Sequence, residues 1–412
     1  MEPPSAGPAT AATPSVPVAS TRPRAPARRL AFSTLPPLSL YVHLPWCIRK
    51  CPYCDFNSYE AGRGGFDDTR YVAALLRDLE DEVPLAQGRA LASVFIGGGT
   101  PSLFSGAAIA RLLAGVRERL DLADSAEVTL EANPGAVEAA RFAEYRDAGV
   151  NRLSIGVQSL RAEQLRQLGR VHGPDEAVRA IELARAAGFA SFNVDLMYAL
   201  PHDEPDGALA DLRTALAHDP PHLSWYQLTL EPNTAFHRRP PPLPVEEVVL
   251  EIEHRGRELL GATGYRRYEV SAYERGGRCA HNVNYWRFGD YLGLGAGAHG
   301  KITLREEGAI ERRAKSRNPR TYENTAGTAR AVAVERIEDP GQVAVEFLMN
   351  ALRLPDGVPL ALFEERAGQS VDVIEEPLEE ARVRGWLAGE PGILRPTASG
   401  LEMLNRLLEL FC

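Results

Sequence analysis

Tyr41-Val42-His43-Leu44-Pro45-Trp46-Cys47-Ile48-Arg49-Lys50-Cys51-Pro52-Tyr53-Cys54 carries the strongest signal in the chain. It begins inside Leu38–Leu44, an apolar and β-branched run that reads as a strand, so three thiols follow on the loop leaving that strand. Iron–sulfur clusters are held by thiolates, and a four-iron cubane ordinarily takes four of them. Three close cysteines with no fourth nearby leave one iron free for a small-molecule ligand, the logic that separates open catalytic metal sites from closed structural ones. A zinc site completed by a distant histidine, or incidental buried thiols, are the other readings of the triad. Zinc, however, favours paired Cys-x-x-Cys units and Cys/His mixtures.

Outward from this loop a pattern repeats. Further strands are expected at Ser93–Gly97, Glu127–Glu131, Arg152–Gln158, Ser191–Met197 and Leu223–Leu230. Helical periodicity fills the gaps at Phe66–Val83, Ala107–Leu120, Val137–Ala148, Pro174–Ala187 and Asp206–Ala217, and a sixth helix is expected at Val245–Ala262. Such alternation implies an α/β fold with a parallel sheet and helical crossovers, either an open doubly wound sheet or an incomplete, TIM-like (β/α)6 barrel. Both architectures collect their chemistry at the C-terminal ends of the strands. The barrel domain is expected over 38–305, followed by a polar linker or excursion over 306–335. A small C-terminal α+β, winged-helix-like domain is expected over 336–412.

The 412 residues carry a net charge of −9, which gives no electrostatic attraction for a phosphate backbone. No nucleic-acid partner is expected. No stretch approaches the apolar length of a membrane-spanning helix, so at most peripheral membrane contact is anticipated. Three of the five cysteines crowd into positions 47–54, which points to metal binding in a reducing compartment, the cytoplasm, and not to a disulfide scaffold. Residues 1–37 are rich in Pro and Ala, with arginines near their end. They read as a disordered tail, since the prolines break the amphipathic helix a transit peptide would need.

The triad Cys47, Cys51 and Cys54 after a first strand resembles the signature of the radical S-adenosylmethionine (SAM) superfamily. The resemblance runs from Leu38 to the C-terminus. It is closest to the anaerobic coproporphyrinogen III oxidase-like group and, within it, to the HemW haem chaperones. It implies a [4Fe–4S] cluster whose open iron chelates the amino and carboxylate groups of SAM, on a partial or full (β/α) barrel. Gly97-Gly98-Gly99-Thr100-Pro101 matches the family's SAM-binding element, so Gly98, Gly99 and Thr100 are carried over. Glu131, Gln158, Arg170 and Asp195, from successive strand ends or just beyond them, are implied SAM contacts, with Arg170 suited to its carboxylate. Tyr41 and Tyr53 flank the cluster in the family's pattern; ordinary barrel core is the alternative for each.

A second constellation, Cys279-Ala280-His281-Asn282-Val283-Asn284-Tyr285-Trp286, resembles the haem-handling element of the HemW family and makes His281 a haem-ligand candidate. Cys279 is an alternative ligand, and His299, in Gly-Ala-Gly-Ala-His-Gly, is another. The resemblance further implies haem as cargo, haem-accepting respiratory proteins as recipients, a haem donor such as bacterioferritin, and a homodimer. Two functions stay open: a haem chaperone, or a radical enzyme that decarboxylates porphyrinogen propionates. The oxidases extend the motif to a fourth cysteine, where this chain has Phe56, and they carry an ordered N-terminal extension in place of the Pro/Ala tail. Both departures favour the chaperone. A protein that keeps cluster and SAM only as a structural or sensing element is a third reading.

Overall fold

The computed structural model describes residues 30–62 and 64–412. The expected disordered tail therefore lies outside the described residues over 1–29. Residues 30–37 are ordered against the body, which corrects the boundary at 37. Leu30 and Phe32 are buried in the C-terminal core, and the Ala31 amide donates to the Gly368 carbonyl at 2.9 Å. Burying two such side chains contributes about 1.5–3 kcal/mol each, enough to hold a short strap in place.

Six strands form the expected parallel array: β1 (Leu38–Leu44), β2 (Leu91–Gly98), β3 (Leu122–Ala132), β4 (Arg152–Gln158), β5 (Ser191–Tyr198) and β6 (His222–Gln227). Each pairs in parallel with the next. Helices α1 (Asp68–Glu82), α2 (Gly106–Arg119), α3 (Phe142–Ala148), α4 (Pro174–Ala186) and α5 (Pro205–Ala217) lie in the crossovers. Helix α6 (Glu246–Ala262) follows β6 and packs on α5. The expected helix over Val137–Ala148 is broken, with one turn at Ala136–Ala139 before α3.

The sheet does not stop at six strands. Past β6 come β7 (Arg266–Glu269) and β8 (Ala272–Glu274), antiparallel hairpin strands at one edge. The short helix α7 (Ala280–Trp286) then leads to β9 (Asp290–Leu294), which pairs in parallel with β1 on its other side. Antiparallel strands β10 (His299–Leu304), β11 (Ala309–Lys315) and β12 (Val332–Ile337) complete a 12-stranded order β12-β11-β10-β9-β1-β2-β3-β4-β5-β6-β8-β7. The two ends are not hydrogen-bonded to each other, so the barrel is an open one.

The linker expected over 306–335 is corrected by β11 and most of β12, which lie in this sheet. Their charges are matched across elements: Lys315 Nζ lies 2.6 Å from both Asp78 and Glu82, and Arg313 lies 3.1 Å from Glu82.

Beyond β12, helix α8 (Pro340–Ala351), the shorter helices Ala361–Ala367 and Glu375–Val383, a two-stranded pairing of Val358–Pro359 with Ile393–Leu394, and two closing helical segments make the small α+β unit. Its core, around Phe347 and Phe363, is separate from that of the barrel and takes in Phe288 and Ile310 from the barrel side.

Candidate functional site

Alternation along a strand sends successive side chains to opposite faces. Leu40, Val42 and Leu44 of β1 bury against the helices, and the chain then turns through a short strand, Trp46–Cys47, that pairs with Tyr59–Glu60. Glycines at the end of β2 let this turn pass. A Cβ on Gly99 would stand 2.6 Å from the Trp46 carbonyl oxygen, and one on Gly98 2.7 Å from the His43 ring. Only bare backbone fits there.

The thiol loop and the strand ends line one cavity of about 310 Å³. Cys47, Cys51 and Cys54 all face it as free thiols, with Tyr53 beside them. Burial pushes the Cys47 thiol up to about 11. Gly98, Gly99 and Thr100 border the same space, as do Glu131, Gln158, Arg170 and Asp195. The structure thus brings together eleven of the sequence-derived residues, drawn from β2–β5 and the loops beside them.

Their local geometry is built. Glu131 Oε2 accepts the Gly98 amide at 3.0 Å, and burial raises its carboxyl to about 7. Burial also raises Asp195, which accepts from Asn193 at 2.7 Å and Ser154 at 3.1 Å. Arg170 donates to Asn133 Oδ1 at 2.6 Å and to the Gly156 carbonyl at 2.7 Å, and its Nη1 lies 3.7 Å from Cys51 Sγ. Its Nε is buried with no hydrogen-bond partner among the described residues. Gln158 holds a left-handed φ of 69°, rare for a side-chain-bearing residue, while its Oε1 accepts from Tyr226 at 2.7 Å. Asn133, Ser154 and Tyr226 were missed by sequence reading. Each lies at or near a strand end on the same face as an expected contact, the one signal that could have found them.

Tyr41 does not line this cavity but the one beside it. It lies deeper in β1, bonded to His43 Nδ1 at 2.7 Å and stacked on Phe95, and it lines a second cavity of about 830 Å³. Asp55, Phe56, Gly98 and Glu131 are common walls of the two spaces.

His281 and Cys279 line neither. Both are buried: His281 Nδ1 lies 2.9 Å from Glu127 and 3.1 Å from Cys279 Sγ, and its ring stacks on Phe95 at 4.2 Å. Glu127 also accepts the Ala280 and His281 amides, closing the N-terminus of α7. Burial opposes a charged imidazole here, yet the Cys279 sulfur and Glu127 raise it to about 9. The expected haem-ligand roles of His281 and Cys279 thus meet an obstacle, since both side chains are already enclosed and partnered. Asn57, three residues after the last thiol of the triad, donates to the Ala296 carbonyl at 2.9 Å and the Arg317 carbonyl at 2.8 Å, tying the thiol loop to the wall of the larger cavity.

Three thiols converging on one cavity are a donor set that suits iron–sulfur ligation with one iron left open. The glycine cradle and the unpartnered Arg170 Nε beside them suit a ligand with an anionic group. Among the described residues no helix is long and apolar enough to cross a membrane.

The chain is similar to known proteins over most of its length. Residues 41–214 match the radical SAM superfamily, and residues 339–402 match the HemN C-terminal domain. The heme chaperone HemW of Escherichia coli (strain K12) is 52% identical over 378 residues, covering 92% of this chain and 98% of that protein. The Haemophilus influenzae heme chaperone HemW is 46% identical, with 92% and 98% covered. The mitochondrial radical S-adenosyl methionine domain-containing protein 1 of Mus musculus is 35% identical, with 90% and 86% covered. Among solved structures, the E. coli coproporphyrinogen III oxidase HemN, a radical SAM enzyme, superposes with a TM-score of 0.77 at 24% identity over 92% of this chain and 90% of its own, a likeness of fold. A radical SAM fold implies a [4Fe–4S] cluster and SAM as cofactors. With its three-cysteine loop at the mouth of an open barrel and full-length relatives on this scale, the chain belongs to the HemW family of the radical SAM superfamily.

Proposed function

We propose that this chain is a haem chaperone, binding haem and delivering it to haem-accepting respiratory proteins, with the cluster held by Cys47, Cys51 and Cys54. SAM lies against Gly98, Gly99 and Thr100 and is contacted by Glu131, Gln158, Arg170 and Asp195, with Tyr53 packed beside the thiols. The observation that carries the reading is the shared wall between two spaces. A thiol-lined cavity of about 310 Å³ abuts an aromatic-walled one of about 830 Å³ across Phe56 and Glu131.

When bound, a cluster of this kind supplies an electron and one iron open to an outside ligand. The chain's own residues do the rest. Arg170 is held by Asn133 and Gly156, so its fork is oriented before a carboxylate arrives. Burial raises the Glu131 carboxyl to about 7, while its Oε2 accepts the Gly98 amide and so keeps the side chain fixed at the common wall. Delivery to acceptors takes place in the cytoplasm, with at most peripheral membrane contact. A haem donor such as bacterioferritin and a homodimer fit the same reading.

Phe56 stands where the oxidases have their fourth cysteine and is 56% exposed, so it separates the two spaces without capping either. The absence of a fourth thiol at this position weighs against porphyrinogen decarboxylation. The deciding assay is anaerobic: reduced, reconstituted protein with SAM and coproporphyrinogen III, with 5′-deoxyadenosine and protoporphyrinogen quantified together beside a known oxidase. No porphyrin product, together with stoichiometric haem binding and transfer, is expected. Catalytic protoporphyrinogen formation would sink the chaperone reading.

A further inference from the structure

The larger cavity is walled by planes. Tyr41 and Phe95 present their rings from β1 and β2, Tyr291 from β9, and Tyr285 and Trp286 face them from α7. Its volume of about 830 Å³ is within the range of sites for large cofactors, and aromatic walls of this kind suit a flat ligand. Its cations are unequal. Lys301 is paired with Asp290, Lys315 with Asp78 and Glu82, and Arg312 with Glu346. Arg317 has no acidic partner among the described residues, its Nε meeting only Asn57 Oδ1 at 3.4 Å. A flat ligand with carboxylate arms would find one uncommitted guanidinium.

Two histidines line this space, and they differ in the same way. His43 has both ring nitrogens engaged, Nδ1 with the Tyr41 hydroxyl at 2.7 Å and Nε2 with the Asn57 carbonyl at 3.0 Å. His299, the first residue of β10, is exposed to the cavity, and its ring makes no hydrogen bond or ion pair among the described residues. Its backbone, by contrast, is fixed. A Cβ on Gly293 would stand 2.1 Å from the His299 carbonyl oxygen, and Gly297, at φ 82°, leaves no room for a Cβ against the Asn57 side chain. An imidazole with no other partner keeps a lone pair available to an iron, and the fixed backbone limits where that ring can reach.

We propose that haem lies in this cavity against Tyr41, Phe95, Tyr285 and Tyr291, with His299 as the axial ligand of its iron and Arg317 at one propionate. His281, buried between Glu127, Cys279 and Phe95, positions α7 and its aromatic residues instead. The assignment rests on the haem-chaperone reading and says where in the molecule the cargo is held.

The test is a parallel titration of the full-length chain with haemin and with iron-free protoporphyrin IX, read by Soret absorbance and, for haemin, by electron paramagnetic resonance. His299→Ala is expected to weaken haemin by about tenfold or more and to abolish the imidazole-ligated spectrum, while leaving protoporphyrin IX within about twofold of wild type. Added imidazole should restore the spectrum. Arg317→Glu is expected to weaken both ligands by a similar factor with an unchanged spectrum. A His299→Ala protein with wild-type haemin affinity and spectrum overturns the assignment, and so does one that loses both ligands equally. Wild-type protein that binds no haemin overturns the chaperone reading itself, a separate result from either of these.

Discussion

Glu127 and His281, 154 residues apart in sequence, meet at 2.9 Å beneath the aromatic-walled cavity. One carboxylate thereby fastens both the imidazole and the first amides of α7 to β3.

Glu127→Gln keeps the shape of this contact and removes its charge. Breaking a buried pair on one side costs about 3 kcal/mol or more, because the remaining charge stays desolvated. The variant should therefore unfold at a lower urea midpoint than wild type, and its haem capacity should fall with the loss of α7. A midpoint within error of wild type would show that the pair does not hold the helix.

Replacing Cys47, Cys51 or Cys54 singly with Ser should drop reconstituted iron from about four per chain to well below one, with loss of the charge-transfer absorbance near the visible edge. Cys412→Ser, at an exposed final residue outside both cavities, should leave iron content unchanged. Full iron loading in any of the three triad variants would remove that thiol from the ligand set.

Arg170→Lys should bind SAM at least about tenfold more weakly than wild type, measured by calorimetry on the reconstituted protein. Nη2 alone serves Asn133 Oδ1 and the Gly156 carbonyl, which leaves the planar Nε and Nη1 for the ligand, and an ammonium has no such coplanar pair. Equal affinity would mean that the guanidinium shape is not used.

Acid should unfold the protein partly through His172. Burial, followed by the nearby Arg170 charge, lowers this imidazole from 6.5 to about 3, and a single ring nitrogen is bonded, to the Val157 carbonyl at 3.1 Å. A group depressed in the folded state contributes stability that is present above 6.5 and lost as pH falls towards 3. His172→Gln should flatten the decline of the urea midpoint across that window. A decline identical in wild type and variant would exclude His172 as its source.

Much of this was readable from residue pattern. The bounds of β1 and β4 coincide with their apolar alternation, and the polar residues at the ends of β2–β5 converge because those strands run parallel. Tyr41 shows that alternation fixes a face but not a depth. It shares the interior face with His43, yet sits far enough below the loop to look into the neighbouring space. Strand β11 was invisible because its signal is electrostatic. Glu311, Arg312, Arg313 and Lys315 show no apolar period, and the acids that justify them, Asp78, Glu82 and Glu346, are remote in sequence. The enclosure of His281 was illegible for a similar reason, since it depends on Glu127 and Phe95 from two distant strands.

The two hydrogen bonds from Asn57 have a mechanical consequence. They join the Asn57 side chain, three residues after Cys54, to the carbonyls of Ala296 and Arg317, which flank His299 in sequence, at 2.9 and 2.8 Å. A single amide side chain therefore fastens the thiol loop to the rim of the larger cavity, and the two are held as one mechanical unit.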